Sequence, residues 1–578
     1  MAQNIPVPLT QVRLYDFIDE LITDGVVSHQ TAIRPYSREQ VATLLLAAQQ
    51  ADSLLNARQR KDLAFYLNEF ALERDTMVNN YVQYTDHSTF NISLADPQFS
   101  YRKSDSNFKL RLRPILGAEL SASKKGALLH RWYGAELQMD IAQHLSIWGS
   151  LRDHSWSGNW LSKQVFPSDN ARINGARIHY GASQQQPALL PIPGVQYKEA
   201  TYGGDFSDSK GGISLYSWWG SITMQREHIR LGDAYHASNI LSGRAPAAPM
   251  LSLQLTPCKW FQFDYFHAWL VSNVADSTYY YLENTTKPGV QDKEYRPLNK
   301  FMAANMFTFT PIKHVSLSFG NSVIYAEKTI QAAYLIPIAF YKSLDHLMTK
   351  GVRTQNQNSQ VFASLSVRPI DHLQLYGSFF LDEVKFARFK KSNPQNNPIS
   401  YLVGFNWSGW PIKGLSLKGE FMRSYIACYT HSIDVLDWSS NSYNMGHYMG
   451  DNAQSIYAEL AYRPFRGALI KLSYTNDKKY NSYAYLRDNI GPTISEKPFD
   501  HCIYSNDELR LDGIYEVHPN MFMTVSLGYN NAQGFDNIKA NALPSEDLGD
   551  AQYYLDKFSP LFYQGKNFTA SVGFSFGF

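Results

Sequence analysis

From residue 76 to the C terminus, apolar residues recur at every second position, and this alternation constrains the fold more than any other feature. In residues 108–113 the odd-numbered positions are cationic and the even-numbered ones apolar. Residues 568–578 place an apolar or aromatic side chain at every second position. Because successive side chains of a strand point to opposite faces, the pattern predicts two-faced β-sheet throughout. Alternation alone fits both a soluble sandwich and a barrel with lipid outside and water inside.

Short turns and long connections alternate along this region. Proline lacks a ladder donor and therefore belongs at turns or edges of a sheet. Short proline turns lie at Pro257, Pro311, Pro369, Pro411, Pro464 and Pro519, and long polar connections occupy 274–299, 327–357, 427–452, 477–507 and 531–566. Short turns on one side with long loops on the other are typical of an outer-membrane barrel. Soluble domains rarely hold several such loops.

The C-terminal segment also favours a barrel. It ends in Phe578 and resembles the signal by which outer-membrane barrels are recognised for insertion. In a soluble protein its apolar residues would form an aggregation-prone edge. Counting strands back from Phe578 gives 13 from Met250 onward, with the proline turns periplasmic, and residues 76–249 supply five to seven more. We therefore predict an all-β transmembrane barrel of about 18 antiparallel strands, wide enough for an aqueous lumen unless something fills it.

Residues 1–75 have a different, helical pattern. Leu14, Ile18 and Leu21 recur at helical spacing, and Gly25 follows where a C-terminal cap belongs. Ser37-x-x-Gln40 is a capping box, and a third helix is expected over about 57–73. We predict a small N-terminal periplasmic α-helical bundle (1–75), and either these helices or inward-folded loops could fill the lumen of the barrel (76–578). A second interpretation is that 14–46 resembles a single S-layer-homology repeat with a direct role in binding peptidoglycan or polysaccharide.

Composition excludes several classes of protein. The 53 basic and 51 acidic residues leave a net charge of +2, which argues against a nucleic-acid partner. Three cysteines support neither a disulfide scaffold nor a zinc site. The chain opens without a positive n-region or an apolar h-region, so we expect either a cytosolic protein or a mature form whose signal peptide has been removed. The barrel pattern favours the second, in a Gram-negative outer membrane.

No catalytic, cofactor or metal motif stands out. HExxH, Walker and GxGxxG patterns are absent from the sequence. The pairs Asp86-His87 and Glu227-His228 could suggest acid–base chemistry. Adjacent residues of a strand point to opposite faces, however, so neither pair forms one site. We predict a protein that is not an enzyme and needs no cofactor.

Two groups of residues are candidates for ligand binding. Aromatic and histidine side chains in Asn-rich loops suit sugar rings, or alternatively form the aromatic girdle of a barrel or pack within their loops. These candidate glycan contacts are Trp156, Trp160, Tyr280, His431 and Trp438. Arg226, His228 and Arg230 stack at period 2 on one predicted strand. This basic stripe is either a polar lumen wall paired with acids or an anion-facing groove for acidic sugars or lipopolysaccharide phosphates.

Several segments resemble Wzi-like outer-membrane capsule-assembly proteins, particularly the Bacteroidetes-type members. The segments are LYDFIDELI at 14–22, RPYSR at 34–38, RLGDAYH at 230–236, ILSGRAP at 240–246, FGNSVIY at 319–325, YLIP at 334–337 and FLDE at 380–383. The resemblance implies an 18-stranded barrel with a periplasmic helical bundle. It also implies a non-enzymatic, lectin-like role in attaching or organising capsular polysaccharide at the cell surface.

The expected partners are therefore surface polysaccharide or lipopolysaccharide, outer-membrane lipid, and other outer-membrane proteins or lipoproteins. Two alternative functions stay open at this point. One is an accessory barrel subunit of a protein assembly or secretion complex, and the other is a diffusion porin.

Overall fold

The structure is a computed structural model of the 578-residue chain, of which it describes the following part. It comprises residues 4–28, 32–70, 82–85, 88–93, 98–103, 107–158, 172–173, 176–177, 198–200, 203–272, 274–284, 291–348, 357–382, 388, 397–409, 411–431, 433–441, 443–481, 497–537 and 550–577. Of the predicted site residues, Trp160 lies outside these ranges, as does the pair Asp86-His87.

Eighteen antiparallel strands close into a barrel. They are β1 (Phe108–Ser123), β2 (Gly126–Ile141), β3 (Leu145–Ser157), β4 (Gly203–Ser217), β5 (Gly220–Glu227), β6 (Ala248–Cys258), β7 (Phe261–Leu270), β8 (Lys300–Ile312), β9 (Val315–Tyr325), β10 (Gln357–Ile370), β11 (Leu373–Leu381), β12 (Ile399–Ser408), β13 (Leu415–Ser424), β14 (Ala453–Tyr462), β15 (Ala468–Tyr480), β16 (Cys502–His518), β17 (Met521–Gly534) and β18 (Gly565–Phe576). Pairing of β18 with β1, from Thr569↔Ser123 to Phe576↔Leu116, joins the ends. This confirms the predicted strand count.

The two faces of the wall differ in the sense that a membrane barrel requires. Along β1 the outward Leu116 and Leu120 are about half exposed, at 52% and 50%. The inward Arg111 and Arg113 are only 4% and 1% exposed. A soluble sandwich would bury the leucines and expose the arginines. The apolar face therefore points away from the protein and the polar face into the lumen.

The short proline turns gather at one end of the barrel. All six predicted proline turns lie there, between β6 and β7, β8 and β9, β10 and β11, β12 and β13, β14 and β15, and β16 and β17. The long connections lie at the opposite end. We call these the head end and the loop end, because the N-terminal helices contact the first of them. The predicted asymmetry of the connections is confirmed.

Residues 4–28 and 32–70, which we call the head, contain the N-terminal helices. These are α1 (Val12–Thr23), α2 (Arg38–Gln50) and α3 (Ala57–Glu69). Ser37 and Gln40 form the predicted capping box, and Gly25 has the positive φ expected just after α1. Phe17, Leu45 and Phe70 lie in the apolar core of this head. Among the described residues, none of the helices has the length and hydropathy needed to cross a membrane.

Two loop-end connections turn back into the lumen rather than away from it. We call residues 228–247 and 425–452 the inner segments. The first pairs its short strands Arg230–Leu231 and Leu241–Ser242, and Arg230–Leu231 also pairs with Ile33–Arg34 of the head. The second contains the paired strands Ser439–Ser440 and Tyr443–Asn444. The head and the inner segments thus meet inside the barrel.

A third connection folds over the outside of the wall. In residues 331–344, which lead into the helix α4 (Tyr341–Met348), Tyr334 and Tyr341 are buried against β7, β8 and β9. Asn305, on the outward face of β8, donates to the carbonyl oxygens of Pro337 (2.8 Å) and Ala339 (2.9 Å). The connection thereby supplies hydrogen-bond acceptors for an amide that would have none in contact with lipid.

The remaining elements lie at the two ends. They are the strands Val82–Thr85, Ser88–Ser93 and Gln98–Lys103, which extend the sheet beside β1, the strands Arg172–Ile173, Ala176–Arg177 and Lys198–Ala200, a hairpin of Ala275–Asn284 with Gln291–Pro297, and the helix α5 (Ala551–Phe558).

Candidate functional site

An exposed aromatic hairpin at the loop end is the candidate binding surface. Strands Ala275–Asn284 and Gln291–Pro297 form it within the connection between β7 and β8, and we call it the tyrosine hairpin. Three consecutive tyrosines, Tyr279, Tyr280 and Tyr281, are each 43–47% exposed. A single tyrosine at a surface is ordinary, whereas three in a row, exposed on a protruding hairpin, form an apolar surface that is available to a ligand.

A cation accompanies the aromatic rings on each face of the hairpin. The guanidinium carbon of Arg296 lies 4.8 Å from the ring centroid of Tyr279 and 5.1 Å from that of Tyr281. Lys293 Nζ lies 4.3 Å from the centroid of Tyr280. Tyr295, directly opposite Tyr280 in the register, has its ring 5.7 Å away. Alternation places Tyr280 on the face opposite Tyr279 and Tyr281, so the hairpin carries two aromatic–cation surfaces.

This combination suits acidic carbohydrate. The flat face of an aromatic ring covers the apolar face of a sugar ring, while phenol hydroxyls bond to its hydroxyl groups. Arginine and lysine attract carboxylate or phosphate substituents. Among the described residues no group of three or more His, Cys, Asp or Glu side chains is placed to hold a metal ion. The hairpin therefore offers binding without the groups of a metal-dependent reaction.

The structure separates the other predicted glycan contacts from this hairpin. Trp156 is half-buried on β3, where its ring stacks on His130 with centroids 4.0 Å apart. His431 is half-buried in an inner segment, and its backbone N–H donates to Asp437 Oδ1 at 2.6 Å. Neither residue shares a surface with Tyr280. Trp160 lies outside the described residues.

Trp438 is a packing residue in this structure. Only 1% of it is exposed, its ring lies 4.9 Å from that of Phe380, and its indole nitrogen donates to the carbonyl oxygen of Ile240 at 2.9 Å. The sequence left open a glycan contact or loop packing for this residue. The glycan contact is corrected to packing, because the connection turns inward and buries the indole between the two inner segments.

The predicted basic stripe is also corrected. Strand β5 ends at Glu227, so Arg226, His228 and Arg230 do not share one strand. Arg226 alternates with the buried Glu227 and donates to the carbonyl oxygens of Ser209 (2.9 Å) and Ala247 (3.1 Å). His228 is buried with Nδ1 2.9 Å from the carbonyl oxygen of Ala245, and Arg230 lies on the short strand beside the head. The period-2 spacing of the sequence continues beyond Glu227, although the backbone leaves the barrel wall at that residue.

An apolar cluster fixes the inner segments in the lumen. Leu231, Ile240, Leu436 and Trp438 from these segments are buried together. They contact inward-facing residues of the wall, namely Met250, Phe266, Met302, Ile324, Phe362 and Phe380. An aqueous lumen wall would be polar at these positions. The sequence signal that could have located the inner segments is therefore a group of strands, β6 to β11, each of which carries an apolar residue among the polar residues of its inward face.

Buried polar groups join the two inner segments to the wall and to each other. Ser242 N–H donates to the carbonyl oxygen of Met445 at 2.8 Å. His236 Nε2 lies 2.6 Å from Tyr448 Oη, which donates to Asp477 of β15. Burial, followed by the charge of Arg244, lowers the pKa of His236 well below its ordinary value, so this histidine is neutral. A neutral histidine can donate its Nε2 proton to the tyrosine oxygen while the tyrosine hydroxyl donates to Asp477, which fits the observed chain.

Ion pairs with Glu69 hold the head inside its end of the lumen. Its carboxylate accepts two bonds from Arg113, at 2.9 and 2.6 Å, and a third from Arg111 at 3.2 Å. Arg38 of α2 contacts the same carboxylate at 3.4 Å. Burial alone raises the pKa of Glu69, but Arg113 and Arg111 outweigh it and hold that pKa well below its usual range. One acid of the head thus pairs with two arginines on the inward face of β1.

A second set of contacts attaches α1 and α3 to the turns. Asp16 accepts from Arg463 Nε at 2.8 Å and from Arg13 at 2.6 Å. Tyr66 donates to Glu516 at 2.6 Å. Burial raises the pKa of Asp16, but Arg463, Lys418 and Arg13 together lower it well below its ordinary value. Together with the Glu69 contacts, these bonds hold the head against the barrel.

Comparison with known proteins gives a likeness of fold. No family model matches the sequence, and no curated protein matches it. Among solved structures, the chain is similar to Wzi of Escherichia coli, with 12% identity over 99% of both chains and a TM-score of 0.52. That structure is described as a carbohydrate-binding β-barrel, an outer-membrane protein involved in group 1 capsule assembly. At this identity the match shows the fold of an outer-membrane barrel.

Two Pseudomonas aeruginosa barrels are also similar over part of the chain. OccK8 (OprE) has 9% identity over 81% of this chain and 98% of its own, with a TM-score of 0.39. OprD has 9% identity over 81% of this chain and 94% of its own, with a TM-score of 0.38.

Proposed function

We propose that this protein is a non-enzymatic barrel of a Gram-negative outer membrane that binds and organises capsular or other surface polysaccharide. The observation that carries the proposal is the tyrosine hairpin, an exposed aromatic and cationic surface at the loop end. In an outer membrane the short turns face the periplasm and the long connections face the exterior. The hairpin then meets the polysaccharide at the cell surface.

The state of the lumen supports binding over transport. A diffusion porin keeps an aqueous path between its strands. Here the head occupies one end of the lumen, and the two inner segments contact the wall further along it. The E. coli protein of similar fold is itself described as carbohydrate-binding, which adds support by analogy of fold alone.

Retention on immobilised native surface polysaccharide tests the proposal. We expect the intact protein to be retained, and the double variant Tyr279→Ser/Tyr281→Ser to bind at least about tenfold more weakly, because two stacking rings beside Arg296 are lost. Tyr553→Ser is the matched control: Tyr553 is 45% exposed at the loop end, with Lys557 Nζ 5.4 Å from its ring centroid, and it lies outside the hairpin.

Two results would contradict this function. Failure of the intact protein to bind any native surface glycan would rule out the proposed function. Equal weakening by the hairpin variant and by Tyr553→Ser would show that the hairpin is not the binding surface. Stable co-purification with other barrels or lipoproteins, without glycan retention, would favour an accessory subunit of a protein complex instead.

A further inference from the structure

A groove on the outward face of the wall lies where the barrel closes. It has a volume of about 520 Å³ and spans β15, β16, β17, β18 and β1, and on β18 and β1 it reaches the loop end. Its lining residues are Ala122, Ser123, Leu472, Leu509, Leu511, Leu527, Gly528, Tyr529, Phe568, Thr569 and Ala570. The lining is almost entirely apolar, so within a membrane its natural occupant is hydrocarbon.

The shape of the groove follows from side-chain size along one row of paired residues. Leu511 pairs with Leu527, Leu527 with Ala570, and Ala570 with Ala122. The outward side chains thus become smaller, from leucine to alanine, where β18 pairs with β1. The two alanines form the floor of the groove, which lies lower than the leucines beside it. Phe568, 73% exposed, stands on the loop side of this floor.

Three lysines lie at the loop-side edge of the groove. Lys124 and Lys125 form the turn between β1 and β2, and Lys566 lies two residues before Phe568. All three are exposed, and Lys124 Nζ donates to the carbonyl oxygen of Lys566, which brings the turn and β18 together. Within the described chain none of the three makes an ion pair. The nearby acid Asp507 is engaged by Tyr474 (2.9 Å) and Asn476 (2.6 Å).

The lysines lie at the level of lipid headgroups. Ten residues of β18 separate Lys566 from Phe576 at the head end. With a rise of about 3.3 Å per residue and a tilt of about 40°, this corresponds to roughly 25 Å, the height of the apolar band of an outer-membrane barrel. The groove therefore opens into the outer leaflet, with positive charge directly above it.

We propose that this groove binds a phosphorylated, multiply acylated glycolipid of the outer leaflet, that is, the lipid A part of lipopolysaccharide. An acyl chain occupies the floor formed by Ala122 and Ala570. The phosphate groups of the sugar headgroup contact Lys124, Lys125 and Lys566. This site faces lipid and is separate from the tyrosine hairpin, so it is independent of the proposed polysaccharide binding.

The lysines distinguish this occupant from a protein partner. A second copy of this chain would bring another largely apolar outer wall to the groove rather than a cluster of phosphate groups to match the three cations. A phosphorylated lipid supplies apolar chains and anionic groups at the two heights at which the groove and the lysines lie. Charge complementarity therefore selects the lipid.

Native mass spectrometry of the intact protein, with lipid added in detergent, tests the site. The probes are bis-phosphorylated lipid A, its dephosphorylated form and phosphatidylglycerol. We expect one lipid A to be retained per barrel and neither other lipid to be retained equally. Lys124→Ser/Lys125→Ser/Lys566→Ser should weaken lipid A binding roughly 100-fold, since each cation near a membrane surface adds a several-fold preference for anionic lipid.

A groove-filling variant tests the acyl-chain site separately. Ala122→Leu/Ala570→Leu should weaken retention of lipid A about tenfold while keeping all three lysines. The matched controls are Ala135→Leu, on the outward face of β2, and Lys328→Ser, in the connection after β9. Heat-modified mobility in gels verifies that each variant forms a barrel. Unchanged retention in both test variants, equal binding of phosphatidylglycerol, or a protein dimer lost on filling the groove would overturn the proposal.

Discussion

Glu69 shows at the scale of one residue how the head is held against the barrel. Its carboxylate lies between guanidinium groups of β1 and α2. We predict that Glu69→Gln weakens docking of the head by about 3–5 kcal/mol, because it leaves buried arginines without their anion. Urea-dependent proteolysis of the head measures this free energy.

The control for Glu69 is an exposed ion pair in the same bundle. Arg60 contacts Asp52 at 3.0 Å, and both side chains are about half exposed. Since exposed pairs contribute little, Asp52→Asn should change the docking free energy by less than about 1 kcal/mol. Equal effects of the two substitutions would mean that Glu69 does not anchor the head.

Docking of the head should also depend on pH in one direction. The pKa values of Glu69 and Asp16 are both held below their ordinary values in the folded protein. Acids with a depressed pKa stabilise the folded state above their unfolded pKa, about 4, and this stabilisation is lost as the pH falls toward the folded value. We therefore expect constant docking from pH 6 to 8 and progressive release of the head from about pH 5 to 3.

The same proteolysis measurement, repeated across pH, checks this expectation. In Glu69→Gln/Asp16→Asn the acid-dependent part should be much smaller, because both titrating groups are removed. A head that stays equally protected at pH 3, or one released as the pH rises from 6 to 8, would contradict it.

At the scale of elements, Trp438 joins the two inner segments. We predict that Trp438→Phe costs about 1 kcal/mol, for the hydrogen bond to Ile240, and that Trp438→Ala costs about 3–5 kcal/mol, for the cavity left in the apolar cluster. Thermal unfolding in detergent and proteolysis of the inner segments measure these costs. Glycan retention by Trp438→Phe should equal that of the unchanged protein.

This variant also decides between the two roles considered for Trp438. A large loss of glycan binding by Trp438→Phe, with unchanged thermal stability, would make the indole a direct contact rather than a packing residue.

The regular elements of the fold follow from the sequence, because their signals are local. Alternation along β1 and β18 gives the strands, and the proline turns give their common end. The capping box at Ser37 gives the start of α2. Each of these depends on residues a few positions apart, so one chain is sufficient to find them.

Which loops fill the lumen does not follow from the sequence, because their placement depends on contacts between distant residues. Residues 226–230 continue the period-2 spacing of β5, yet the backbone turns inward after Glu227. Trp438 resembles any loop tryptophan until Ile240, almost two hundred residues away, is placed against it. The exposed hairpin was found only in part: Tyr280 was predicted, whereas Arg296 and Lys293 become partners only when the two strands pair.

At the scale of the whole molecule, the head and the inner segments act as two plugs that lie one after the other along the lumen. The head occupies the end with short turns, and the inner segments lie beyond it. Ion flow through constrictions in series is limited by the narrowest one. Opening either plug alone should therefore leave the conductance nearly unchanged, although an 18-stranded barrel is wide enough for an aqueous channel.

Single-channel recordings in planar bilayers test this arrangement. We expect low conductance from the unchanged protein, from Glu69→Gln/Asp16→Asn and from Trp438→Ala. The three substitutions combined should raise the conductance at least about tenfold, because only then are both constrictions loosened in a lumen of this width. Such a non-additive result requires two plugs. A single plug would give a large increase in one of the separate variants, and steady porin-like conductance in the unchanged protein would favour a diffusion channel over a polysaccharide-binding barrel.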